Sequence, residues 1–470
     1  MRSHELARLV RSDSTMLAFS NLSRSLCYLV PVPILYGIRT PADVSVWLVI
    51  TTLLGMQNLL FIGVPHVLIR MLSYADTPQK VGSDKAEYEP SLAELAQFTR
   101  IAFSVFSFIL LVLFSTLGTA ALLVPIGHMS NPADGWIAWA MIVALAPLRV
   151  ILLRQLTYLN GRGIVADARR IDGLAWLGGG IVATVGIVLV PSLAVMALIM
   201  HLCIGVAIVL IGKLCRDHGW ETLSRGGDSS SFRRTLAVVW APIWRTGVGT
   251  LMSAGTRQGM GLVVAQYSPP PIAAAYLLAQ QVITVLTMLS SAPVLSRLHT
   301  MTYAFRNGDN AGLARVAAAA TSKSLWIAAG LSALVALTIP LLRFVPQFEA
   351  TFVDVELWGV LAVTLLIQRN AAAHLQTYSV TNVIVWHWLD GITGIVSLAF
   401  ALVLIPAYGG WGAAIAGLIG IVALYAWCPL VLNHWRFGIP FPEFEIRTAL
   451  TPLLVFAVSM ITAVILSYVF

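Results

Sequence analysis

Apolar runs of about twenty residues recur along the whole chain, separated by short polar stretches. Roughly twenty consecutive apolar residues span a bilayer as a helix. The pattern predicts thirteen such helices, α1 to α13, over 14–37, 44–72, 97–126, 135–159, 173–190, 192–213, 237–266, 271–299, 322–345, 353–378, 382–406, 410–433 and 447–469. Twelve fall into two sets of six, and the thirteenth is an appendage. The expected organisation is a six-helix lobe over 1–215, a cytoplasmic linker over 216–236, a second lobe over 237–434 and an extra transmembrane helix within 435–470.

The polar stretches carry the orientation. Arg2, Arg8 and Arg11 precede α1. Arg70, Lys80, Lys85 and Arg100 surround the loop after α2, and Arg162, Arg169 and Arg170 follow α4. Lys213, Arg216, Arg225, Arg233 and Arg234 follow α6, and Arg306, Arg315 and Lys323 follow α8. With alternating helices all of these lie on one side; Arg39 and Arg343 are the exceptions. Basic loops stay cytoplasmic, so the N-terminus is expected there, in a multi-pass membrane protein.

Composition agrees. The 470 residues are 58% hydrophobic and 11% charged, with mean hydropathy +0.84; soluble domains are about 25% charged. The net charge of +8 sits in the loops and not along one soluble face, which argues against nucleic acid as a partner. Cys27, Cys203, Cys215 and Cys428 lie in or beside apolar runs without a CxxC pair, so no metal or disulfide framework is expected. The first residues lack a convincing cleavage site and read as the lead-in to a retained helix.

The two halves repeat. Arg149-Val-Ile-Leu-Leu-Arg154-Gln-Leu-Thr157-Tyr158 aligns with Arg369-Asn-Ala-Ala-Ala-His374-Leu-Gln-Thr377-Tyr378 at a shift of 369 − 149 = 220. Asp172-Gly173 aligns with Asp390-Gly391 at 390 − 172 = 218, and Tyr74 with Tyr303 at 303 − 74 = 229. The order is the same in both halves, so the expected repeat is parallel, about an axis along the membrane normal, with a central cavity between the lobes.

Charge within the spans is the candidate chemistry. An arginine inside a membrane usually faces a cavity or a partner. Arg24 lies midway along α1, with Ser20, Asn21 and Tyr28 on its face. Arg257 lies within α7, Arg149 and Arg154 within α4, and Arg369 and His374 within α10. Asn58 in α2 is a further candidate cavity residue. Neither Arg24 nor Arg257 has an obvious acidic partner in sequence, and Asp172 and Asp390 are placed near cytoplasmic helix ends. A guanidinium offers a planar fork of donors that matches phosphate oxygens. The expected site is therefore an anion site of Arg24, Arg257, Arg149, Arg369, Arg154, His374, Asn21 and Asn58. No catalytic motif, metal site or cofactor fingerprint stands in a suitable context, so no enzyme and no cofactor are expected. The coupling ion, proton or sodium, is left open.

Several runs resemble a family. Val46-Trp47-Leu48, Gly63-Val64-Pro65, Ile69-Arg70 and the Arg149–Arg154 helix are similar to the polysaccharide-transporter flippases. Ala274-Ala275-Tyr276, Gln280-Gln281, Pro293, Gly308-Asp309 and Pro406-Ala-Tyr-Gly-Gly-Trp-Gly-Ala413 fit the same pattern. This is the Wzx-like O-antigen and exopolysaccharide branch of the multidrug/oligosaccharidyl-lipid/polysaccharide exporter superfamily, over residues 8–435. The resemblance implies a V-shaped cavity between two lobes. It implies movement of an undecaprenyl-pyrophosphate-linked oligosaccharide from the inner to the outer leaflet by alternating access. Its partners would be that substrate, membrane lipid, and polysaccharide polymerase or export proteins. Lipid II flippases of the same superfamily carry basic cavity residues on α1 and α7, and Arg24 and Arg257 are the positions here that match. They usually have fourteen helices, so thirteen favours the Wzx-like branch. The alternatives are a multidrug or cation antiporter on the same scaffold, and a membrane polysaccharide polymerase or ligase.

Overall fold

The computed structural model describes residues 13–61, 63–75, 90–225, 229–345, 351–381, 383 and 385–469. Each of the predicted spans coincides with helix, and no strand occurs among the described residues. Eight helical runs among them are long and apolar enough to cross a membrane. The apolar side chains on their outer faces are exposed, with Phe108 and Val209 at 68% and Val403 at 71%. Such a surface suits lipid and not water. The chain is an all-helical, multi-pass membrane protein.

The helices are less regular than the apolar pattern suggests. α1 is Asp13–Leu29 followed by Pro31–Ile38, interrupted where Pro31 lacks a backbone donor. α2 is Pro41–Leu60 and Val64–Ala75, parted at Gly63, whose φ is 73°. α3 starts at a capping box, in which Ser91 Oγ accepts from Glu94 N and Glu94 Oε2 accepts from Ser91 N. α4, α5 and α6 are Pro132–Gly161, Val165–Leu189 and Leu193–Asp217. The expected break between α11 and α12 is a kink inside one run, Trp386–Gly420, at Gly409 (φ 53°, ψ −125°). π-helical turns interrupt α3 at Phe114–Gly118, α7 at Leu251–Gly255, α12 at Ile421–Tyr425 and α13 at Ile446–Leu450.

The described chain divides into two compact units. One is Met1–Ile38 with Leu53–Leu251; the other is Arg39–Thr52 with Met252–Phe470. The chain leaves the first unit midway along α7, within its π turn, while residues 41–52 at the start of α2 belong to the second.

In the first unit α1 packs on α5, α2 and α3 pack on α4, and α6 packs on α4 and α5. The second unit repeats the scheme: α7 packs on α11, and α8 and α9 pack on α10. The α1–α5 approach is close because α5 presents glycine to it. A Cβ on Gly173 would stand 2.5 Å from the Phe19 ring, and one on Gly180 would stand 2.8 Å from Cys27 Cα. α13 lies against α9 and α10, outside the repeated set.

Candidate functional site

In the first unit the close contact of α1 with α5 brings Arg24 onto Asp172. Arg24 Nη2 lies 3.0 Å from Asp172 Oδ2 and 3.4 Å from Oδ1. Ser20 Oγ donates to the same Oδ2, Trp176 Nε1 donates to Oδ1 at 3.0 Å, and Arg169 Nη1 stands 3.8 Å from Oδ2. Asp172 has no exposed side-chain surface, whereas Arg24 keeps 26% of its own. The expectation that Arg24 lacks an acidic partner is corrected. Its partner is 148 residues away in sequence and is brought to it by the glycine-lined approach of α5.

Arg149 joins the cluster from α4. Its Nη2 donates to Tyr28 Oη, and its Cζ lies 5.1 Å from the centroid of the Trp176 indole. The Arg24 Cζ lies 5.2 Å from that same ring. One indole thus borders two guanidinium groups, whose charge its π cloud stabilises. Among the described residues, the buried Nε–H groups of Arg24, Arg149 and Arg169 find no acceptor. Arg24 and Arg169 face the one carboxylate and Arg149 joins them through the shared indole, so among the described residues the cluster holds more guanidinium than carboxylate.

The second unit encloses a cavity of about 80 Å³ bordered by α7, α8, α10, α11 and α12. Arg257, Asp390, Gln280, Gln368, Thr393 and Tyr425 line it among apolar neighbours. Gln280 Nε2 donates to Tyr276 Oη at 2.9 Å, while Gln280 Oε1 and Thr393 Oγ1 are buried without partners. Asp390 aligns with Asp172 in the repeat, and Arg257 lies on α7, the counterpart of α1 that carries Arg24. The helices equivalent to those that supply the Arg–Asp contact in the first unit, α7 and α11, are two of the five that border this cavity.

The remaining sequence-predicted residues are dispersed. Arg369 is 4% exposed, and its Nη2 donates to Gln376 Oε1 at 3.1 Å. It is not among the residues that line the Arg257 cavity. Arg154 borders a separate pocket of about 240 Å³ with Arg100 and Arg216, and its Cζ is 5.4 Å from the Trp220 ring centroid. Asn21 is half-buried and its carbonyl accepts from Ser25 Oγ. Asn58 sits in the first half of α2, and its side chain lies outside the described residues. His374 is 1% exposed and stands beside Glu445, away from both arginine groups.

Trp176, Tyr28, Arg169 and Asp172 were not singled out in the sequence as site residues. The signal for Asp172 was present: two repeated features, an arginine on α1 and α7 and an Asp-Gly on α5 and α11, are partners.

No sequence-family profile and no curated protein sequence matches the chain. Solved structures do. The lipid II flippase MurJ in an inward closed conformation superposes with TM-score 0.65 at 11% identity, covering 96% of this chain and 97% of that one. An inward-facing multidrug-resistance MATE transporter of the MOP superfamily gives TM-score 0.58 at 14% identity, over 90% and 94%. A MATE structure in a bent conformation gives 0.57 at 15%, over 94% and 98%. At these identities the likeness is one of fold: the helical architecture is the one these transporters share.

Proposed function

We propose that the protein is a flippase for a lipid-linked oligosaccharide, an undecaprenyl-pyrophosphate sugar destined for a surface polysaccharide such as O-antigen, capsule or exopolysaccharide. The observation that carries this reading is the excess of guanidinium over carboxylate around Asp172, inside a transporter fold. Among the described residues, three arginines against one acid leave net positive charge and unpaired donors where α1 and α5 meet. A diphosphate head group supplies the missing charge and acceptors.

Moving that head through hydrocarbon unaided would strip water from its charges at a cost of many kcal/mol. A basic, hydrated cavity in the protein avoids most of that cost, while the lipid tail stays in the bilayer. Alternating exposure of the cavity to the two leaflets completes the cycle. Arg24 and Arg257 are the principal head-group ligands in this reading, with Arg149 beside Arg24. The work is binding and release without a covalent step, and the membrane is the bacterial inner membrane.

A multidrug or cation exporter is the second reading. Asp390, only 8% exposed on the wall of the α7–α11 cavity, is the residue that favours it. Depletion of the protein separates the two. A flippase leaves its lipid-linked sugar accumulating in the inner leaflet; an exporter leaves that pool unchanged and sensitises cells to cationic drugs.

A further inference from the structure

The base of the second unit holds a cluster that the transport reading does not use. His374 comes from α10, His434 from the helix Cys428–Phe437 that ends α12, and Glu445 from the short helix Phe441–Glu445 that precedes the rest of α13. One ligating atom from each falls within 4.8 Å of the others. Glu445 Oε1 is 2.8 Å from His374 Nε2 and 3.3 Å from His434 Nε2. The histidines are 1% and 8% exposed, and the Phe444 ring lies 5.2 Å from His374 and 5.6 Å from His434.

The ring nitrogens fix the chemistry. His434 Nδ1 lies 3.0 Å from the Ile439 carbonyl, which only accepts, so Nδ1 carries the proton. In a neutral ring Nε2 is then a bare lone pair aimed at a carboxylate oxygen. His374 Nδ1 contacts Asn433 Nδ2 at 3.0 Å, while Asn433 Oδ1 is buried with no partner. Turning that amide over pairs Oδ1 with a protonated Nδ1 and leaves His374 Nε2 bare as well. Two imidazole lone pairs and a carboxylate then converge on one point, and a cation between them resolves the repulsion.

The outer contacts match those of metal-bound histidine, whose second nitrogen donates to a carbonyl or amide and whose carboxylate co-ligand is itself held. Asn370 Nδ2 donates to Glu445 Oε2 at 3.0 Å. Ligand atoms around a tetrahedral zinc stand roughly 3.3 Å apart. The His434–Glu445 distance already has that value, and the His374–Glu445 distance needs to open slightly.

We propose that His374, His434 and Glu445 form a site for a zinc-class divalent transition metal, with a fourth position open to water. The metal fastens the start of α13 to α10 and α12 within the second unit. The sequence gives no warning of it, because the three residues lie on three helices and follow no ligand spacing.

The test uses the full-length protein in detergent, purified with a histidine-free tag and stripped by a chelator. One equivalent of Zn²⁺ is added, unbound metal is removed, and bound zinc is measured. The expected result is about one zinc per chain, a rise in melting temperature of a few degrees, and four-coordinate visible absorption when Co²⁺ replaces zinc. His434→Gln and Glu445→Gln should lose all three signals, whereas His128→Gln, at an exposed position, should keep them. Should the variants fail to fold, the wild-type result alone decides. No retained zinc and no cobalt spectrum overturns the proposal in favour of a proton shared between histidine and glutamate. Zinc retained equally by the folded variants overturns it too.

Discussion

Arg24 and Arg149 flank one indole: their guanidinium carbons lie 5.2 and 5.1 Å from the centroid of Trp176, which also donates a hydrogen bond to Asp172. Trp176 therefore acts on both signs of charge in the cluster at once.

Loss of Trp176 tests this coupling. Trp176→Leu removes two cation–π contacts and one donor to the buried carboxylate. Cation–π contacts are worth about 0.5–2 kcal/mol each, so stability should fall by a few kcal/mol. Trp176→Phe keeps a ring and should lose less. Thermal melting of the purified protein in detergent ranks the two.

Asp172→Asn leaves Arg24 and Arg169 beside a neutral amide. Breaking a buried ion pair from one side costs about 3–5 kcal/mol. The variant should melt lower than the wild type. Arg24→Gln combined with Asp172→Asn should recover part of the loss, and a double mutant no more stable than Asp172→Asn would contradict the pairing.

Arg24→Ala and Arg257→Ala should each cut surface-polymer yield at least about tenfold, since charge-assisted hydrogen bonds contribute about 1.5–3 kcal/mol. The amount of protein in the membrane should change little for Arg257→Ala. Polymer yield and a membrane immunoblot provide the comparison. Normal yield from both variants would remove the arginines from the transport pathway.

The Asp134 carboxylate caps α6 from the first turn of α4. It accepts from Leu193 N at 2.9 Å, Ala194 N at 3.3 Å and Ser192 Oγ. Asp134→Ala frees those donors at a helix start and should cost about 1–3 kcal/mol. Asp134→Asn retains an acceptor oxygen and should recover part of that stability in the same melting experiment.

Gly409 should tolerate no side chain. At φ 53° and ψ −125° an alanine is strained by about 1–3 kcal/mol, and its Cβ would meet Ser268 Oγ at 2.8 Å. Gly409→Ala should lower the melting temperature, and a simultaneous Ser268→Gly should recover only the steric share.

The spans were legible in the sequence because burial in lipid demands long apolar runs, and the repeat was legible because matched residues keep their order. Contacts between distant residues were not. Asp172 reads as a helix-end acid until Gly173 and Gly180 are seen to draw α5 onto α1. The equivalence of Arg149 and Arg369 held in alignment but not in surroundings: Arg149 reaches Tyr28 on another helix, while Arg369 bonds Gln376 on its own. Local sequence resembles local sequence, but the partner comes from elsewhere.

The π turn at Leu251–Gly255 sets the rotational phase of everything after it in α7. A π turn holds an extra residue, and each residue of an α-helix advances the next by about 100°. Arg257 follows the turn by two positions, so the bulge decides which way that guanidinium aims. Deleting Leu251 would restore regular winding and swing Arg257 by about a quarter turn, with the Arg257 side chain itself unchanged. The chain also passes from one unit to the other within this turn. Bending there would re-aim Arg257 together with the helix, tying the direction of a charge to the mechanics of a backbone defect.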